Sequence, residues 1–488
     1  MSKIGKMMKA ALIAFLRDEI GLLRTATDWC RYGAKKQRKG NLDEAIANYD
    51  LALKIEPNFP NAYFLRGTAK KAQGKTESAL VDFDRAIALK PDYTEAYNDR
   101  GNLKRKCGDL AGALVDLNKA IDLQPNYYLA YNNRGLINEK QGDLPRAIAD
   151  YDKALELYPR CAAALNNRGN LKRRQGNLTG AIDDLDKAIQ VQPNFYQAYL
   201  NRGVVRAAKA DFDGAIKDCN KTFELNPKCI GALTNRADAK RRAGDLDGAI
   251  ADCSKALAIK GDFVPAYVGL GLIKRIQGDL SGAIVDCDKA IELDPSHAKT
   301  YVVRGLTKAA QDAVDSALCD YAKAIELEPG LMEAFYARGC LYYNQRRWAE
   351  ALLDFRQTAG APHHDYAQFR VWLVRVRTGE MEAASNDLRH YLENRKDFMP
   401  GDWPSKVGGF LIGQISEVDF FKATENANAK RQNERRCEAF FYVATKRLIE
   451  ADREAASEQF EKCLATNAKH FGEYNSASAE LKFLRENC

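Results

Sequence analysis

"LNNRGNLKRRQGNLTGAIDDLDKAIQVQP", residues 165–193, decides the fold. It opens on two asparagines, an arginine and a glycine, passes through a basic cluster, and closes on an alanine, an acidic pair and a proline. Thirty-four residues earlier the chain reads "YNNRGLINEKQGDLPRAIADYDKALELYP" (131–159). Outward from there the prolines keep step: Pro57, Pro91, Pro125, Pro159, Pro193, Pro227, Pro295 and Pro329, with Gly261 standing at the one missing mark. Proline or glycine at such a place ends a helix. A fixed period of this length marks stacked supersecondary units, so 488 residues need not mean several globular domains.

Each interval predicts two helices from its apolar spacing. The first carries Tyr63, Tyr97, Tyr131, Leu165, Tyr199, Leu233, Tyr267, Tyr301 or Phe335, followed four residues on by a glycine (Ala237 in one unit). The second carries an alanine: Ala79, Ala113, Ala147, Ala181, Ala215, Ala249, Ala283, Ala317 or Ala351. Small residues at both places let the two helices cross closely. Between them stand Gly108-Asp109, Gly142-Asp143, Gly176-Asn177, Gly244-Asp245 and Gly278-Asp279, a glycine to close one helix and an Asp or Asn to cap the next.

This pattern resembles the tetratricopeptide repeat closely; the first unit shows its marks as Trp29, Gly33, Ala45, Tyr49, Ala52 and Pro57. The resemblance implies an all-α fold, a right-handed superhelical α-solenoid of stacked helix-turn-helix repeats. Two departures stand out: the apolar site before the glycine is arginine in most units, and the later aromatic of the first helix is usually lysine. Residues 26–363 hold ten units, 364–393 a degenerate one, 394–436 an irregular Pro/Gly/aromatic segment with a short helix started by Ser416 and Asp419, and 437–488 a terminal unit with a capping helix. The interrupted C-terminal arrangement resembles bacterial proteins related to the lipoprotein NlpI, although "TDWC" at 27–30 lacks the residues that should precede a lipidated cysteine.

Composition narrows the function. Lys and Arg (74) exceed Asp and Glu (66) by eight, too small an excess to imply nucleic acid alone. Twelve cysteines without C-x-x-C, three of them (Cys219, Cys253, Cys287) at one repeat position, read as small buried hydrophobes in a reducing compartment. A cytoplasmic location is expected. Export to the periplasm is the alternative, if residues 1–26 act as a signal peptide. Residues 1–25 are read as a capping helix with Leu12, Leu16, Ile20 and Leu23 on one face, or as a degenerate signal peptide. No stretch reaches the roughly 20 apolar residues of a membrane span. No catalytic motif, metal-ligand spacing or cofactor loop is found, and His363-His364 is weak evidence for metal.

Repeated polar residues divide into scaffold and site. Arg66, Arg100, Arg134, Arg168, Arg202, Arg236, Arg304 and Arg338 share one position, and Asp82 through Asp354 share another on the second helix. Matched ladders of opposite charge predict internal pairing. Asn133, Asn167, Asn201 and Asn235 recur one place before the arginine, Asn98, Asn132 and Asn166 one place earlier still, and Asn102 and Asn170 further along. In tetratricopeptide proteins the first helices line a concave groove. The arrangement is similar to the asparagine ladder of O-GlcNAc transferases. These amides are therefore expected to look outward and to meet the backbone of an extended peptide. Arg105, Lys106, Lys140, Arg173, Arg174, Arg241, Arg242 and Arg275 fall near first-helix ends, where cations suit the helix dipole and would also make the groove basic. The lysine that the chaperone-tail clamp of the family requires is missing. Trp403, Phe410, Phe420 and Phe421 are expected to pack onto the last repeat.

The expected function is a non-enzymatic scaffold or adaptor that binds extended protein or peptide segments. Self-association through terminal repeats, giving a homo-oligomer, is one alternative. Nucleic-acid binding through the basic cluster is another, opposed by the lack of interleaved aromatics for base stacking.

Overall fold

The computed structural model describes residues 24–359, 365–395, 402–426, 428–469 and 471–486. The expected N-terminal helix around Leu12–Leu23 and the His363-His364 pair lie outside them. Every regular element among the described residues is an α-helix. From Ala26–Arg38 to Trp348–Ala359 the helices come two by two, ten pairs with one short turn inside each.

The pair Ala162–Arg174 and Leu178–Val191 shows why. Gly176 takes φ 83°, a left-handed turn that glycine adopts without strain. The Asn177 side chain then accepts the Gly180 N–H at 2.9 Å and starts the second helix. Asp109, Asp143, Asp211, Asp245 and Asp279 do the same in their own repeats. Where glycine is missing, Ala210, Asp312 and Arg346 are forced to φ near 60°.

The helices of a pair touch where the sequence puts small residues. A Cβ on Gly135 would fall 2.7 Å from the Tyr151 ring, and one on Gly67 2.8 Å from Phe83. Ala147, Ala181, Ala215 and their equivalents are fully buried. Cys219, Cys253 and Cys287 fill the same layer as buried thiols, and burial pushes Cys253 and Cys287 up to about 12.

Contacts divide the chain into two compact units, one ending at Asn226 and the other starting at Pro227. In the second unit the repeats end in a different packing. The Ser416 hydroxyl accepts the Asp419 N–H at 3.1 Å and starts the short helix Glu417–Lys422. Trp403, Phe410 and Phe420 stack with centroids 5.3 and 4.4 Å from Phe420, all buried, so these aromatics are core. Fully buried Arg370 donates to Glu473 and Ser476, each at 3.1 Å. The last helix, Gly472–Glu486, thereby returns to Met332–Asn344, where Ser476 donates to Asn344 at 2.8 Å.

Candidate binding face on the first helices

The side of most first helices that meets their own second helix is saturated. Arg168 donates through Nε and Nη2 to the two oxygens of Asp184, at 2.8 and 2.6 Å, and through Nη1 to Asp152 of the preceding repeat at 2.7 Å. Lys172, standing where the family has an aromatic, completes the cluster at 2.7 Å from Asp184. Arg66, Arg100, Arg202 and Arg304 repeat the three-way bond, and Arg134 uses Asn118 in place of the third carboxylate. Arg236 and Arg338 hold Asp252 and Asp354. Burial pushes the Asp184 carboxyl up, but Arg168 and Lys172 together pull it below its ordinary range. These arginines are scaffold, as the matched ladders imply. The bond to the preceding repeat makes them mortar between units as well.

The asparagines correct one expectation. Asn98, Asn132, Asn133 and Asn166 do not look outward; all four are buried. They are spent largely on one another across successive first helices: Asn133 donates to Asn98 at 2.9 Å, Asn167 to Asn132 at 3.0 Å and Asn201 to Asn166 at 2.8 Å. An amide between two closely packed helices is desolvated, so it takes the partner offered by the next repeat. Asn166 also donates to Asn167 at 3.3 Å, which links two rungs into one relay. Asn235 stands outside the ladder: the residue 35 places before it is Leu200.

The basic cluster splits in two. Lys106, Lys140, Arg174 and Arg242 are exposed, and Arg174 pairs with Glu139 at 2.8 Å. Arg241 pairs with Asp238 at 2.6 Å. Arg105 and Arg173 differ. Each is half-buried and leans on an asparagine one turn back, Arg105 on Asn102 at 2.9 Å and Arg173 on Asn170 at 3.1 Å. Neither has a carboxylate partner among the described residues, and Arg105 Nε is buried with no acceptor. Burial lowers the pKa of both guanidinium groups, the opposite of the carboxylate-bound Arg168. Sequence reading found both residues but not what sets them apart, and it missed Glu139, which takes both Arg174 and the Tyr151 hydroxyl.

Family models for the tetratricopeptide repeat match residues 38–74, 60–93, 101–142, 133–196, 166–228 and 264–297. The chain is a tetratricopeptide repeat protein. Repeats of this family build protein-interaction scaffolds, and this chain is built as one. Among solved structures it is similar to a tetratricopeptide repeat protein from Parabacteroides merdae (23% identity, 50% of this chain and 97% of that one, TM-score 0.45). Yeast Tom70 matches at 18% identity over 75% and 96% (TM-score 0.43), and MamA protein at 28% over 35% and 92% (TM-score 0.31). None of these bears on the NlpI-like reading of the C-terminal segment. The comparison with curated proteins gave no match. No helix among the described residues is long and apolar enough to cross a membrane.

Proposed function

We propose that this tetratricopeptide repeat protein is a non-enzymatic scaffold whose first-helix face holds an extended polypeptide segment. One observation carries the reading: Arg105 and Arg173 are half-buried cations whose side-chain partners among the described residues are asparagines, on the helices that carry the Asn98–Asn201 rungs. A chain folded for stability alone has no use for them, since every neighbouring seam arginine has its carboxylate. A partner that brings acceptors would satisfy the guanidinium N–H groups left over, while Asn102 and Asn170 hold each guanidinium in place.

The rungs act here as rigid support, with spare amide capacity for a peptide backbone. Each neutral hydrogen bond nets about 0.5–1.5 kcal/mol, so the asparagines alone bind weakly. Two charge-assisted contacts and side-chain contacts of the segment must add to them, and the expected affinity is micromolar, about −8 kcal/mol. Twelve cysteines favour a cytoplasmic site of action.

Random-sequence peptides displayed on phage and selected on the immobilised protein test the reading. Selected peptides should bind the Arg105→Gln/Arg173→Gln variant about tenfold more weakly and should weaken as salt rises. Equal binding to both proteins at every salt concentration would remove the first-helix face as the site.

A further inference from the structure

Repeat register allows two places in the chain to be compared residue for residue. In the first unit the Tyr151 hydroxyl donates to Glu139 Oε2 at 3.0 Å, and the same carboxylate takes Arg174 Nη1 at 2.8 Å. Arg105, one repeat before Glu139, bears electrostatically on that tyrosine. Five repeats further on, in the second unit, the same offsets fall on Arg275, Ala309 and Tyr321. The arginine and the tyrosine are kept, and the carboxylate between them is gone.

Among the described residues of the second unit no carboxylate is bonded to Arg275 in its place. Arg275 and Tyr321 act on each other electrostatically. The Arg275 side chain makes no hydrogen bond or ion pair among the described residues, and its Nε is buried without an acceptor. Leu272 stands where Asn102 supports Arg105. The carboxylate of Asp286, on the second helix of the same repeat, is held by Lys274 at 2.7 Å. Asn344, in the place of Arg174, is engaged by Ser476 at 2.8 Å. Ala309 is half-buried, so its position reaches the surface.

We propose that Arg275, with Tyr321 and at the register position where Ala309 stands for Glu139, receives a carboxylate from the bound polypeptide, as the Tyr151 site receives Glu139 from within the chain. The proposal rests on the groove reading above and narrows it: the segment lying along the second unit carries an acidic side chain or ends there in its own terminal carboxylate. The guanidinium supplies charge and the tyrosine hydroxyl a second donor, a pairing that a neutral side chain does not satisfy.

The test has two arms on the full chain. Ala309→Glu supplies the carboxylate internally. It should raise the thermal midpoint by about 2–4 °C, and the gain should vanish when Arg275→Gln is added. No gain, or a gain indifferent to Arg275, overturns the site whatever binds in the groove. The second arm uses fluorescent serine-rich peptides: one carrying glutamates with an amidated end, its glutamine counterpart, and the glutamine counterpart with a free terminus. At least one carboxylate-bearing peptide should bind wild type about tenfold more tightly than the amidated glutamine peptide, and Ala309→Glu should remove that advantage. The glutamate and free-terminus peptides separate the two sources of the carboxylate. An advantage untouched by Ala309→Glu overturns the proposal and leaves the groove reading standing. Failure of all three peptides to bind overturns both.

Discussion

The seam between the two helices of a repeat and the open face of the first helices use the same residue types to opposite ends. In the seam, Arg168 has three carboxylate contacts and lies against the almost fully buried Asp184. On the open face of the same helix, five residues later, Arg173 has an asparagine. The seam repeats nearly unchanged from unit to unit. The rest of the first helix varies: the asparagine rungs of the first unit give way to Val302 and Val303, also buried, in the second, and Leu272 stands where Asn102 does. Sameness marks what stacking demands. Variation on one fixed backbone marks, under the proposed function, where a partner is read.

The comparison breaks most readily at the carboxylate. Asp184→Leu strands Arg168 and Lys172 in the seam and should cost about 3–5 kcal/mol in urea unfolding. A loss under about 1 kcal/mol would mean the seam pairs are mere surface pairs. Next comes the crossing itself. Gly135→Ala drives a methyl to 2.7 Å from Tyr151 and should cost about 1–3 kcal/mol.

Acid sharpens the same contrast. Asp184 and Asp252 have folded-state pKa values below those of the unfolded chain, so their contribution is whole above the ordinary aspartate range near ~4. It is lost as pH falls through the folded values. Stability should therefore drop below about pH 4, and Asp184→Asn should flatten that drop in a pH series of urea midpoints. Relief of turn strain is smaller. Ala210→Gly removes a non-glycine residue from φ 60° and should gain roughly 1 kcal/mol. Smallest is the open face: Arg105→Leu should stay within about 0.5 kcal/mol of wild type while weakening peptide binding.

The helix pairs were legible because their signals are local. Gly176 supplies a positive φ, Asn177 a cap and Pro193 a stop, and none of these depends on the rest of the chain. The Arg168–Asp184 pair was legible too, since both members recur in step. Its third partner, Asp152, comes from the neighbouring repeat, and pairing across repeats depends on how units stack. The burial of Asn98, Asn132, Asn133 and Asn166 was hidden for that reason: a small rotation of one first helix against the next decides whether Asn132 meets solvent or Asn167. Glu139 was hidden because its role is visible only beside Tyr151 in space, and the gap at Ala309 only beside Glu139 in register.

The central claim is that one helix carries an arginine for the scaffold and another for a partner. Urea unfolding of Arg168→Leu and Arg173→Leu, measured side by side, tests it most directly. Arg168→Leu, which leaves Asp184 with Lys172 alone, should lose about 2–4 kcal/mol, and Arg173→Leu should change by no more than about 0.5 kcal/mol. Equal losses in the two variants would contradict it, because Arg173 would then belong to the scaffold too.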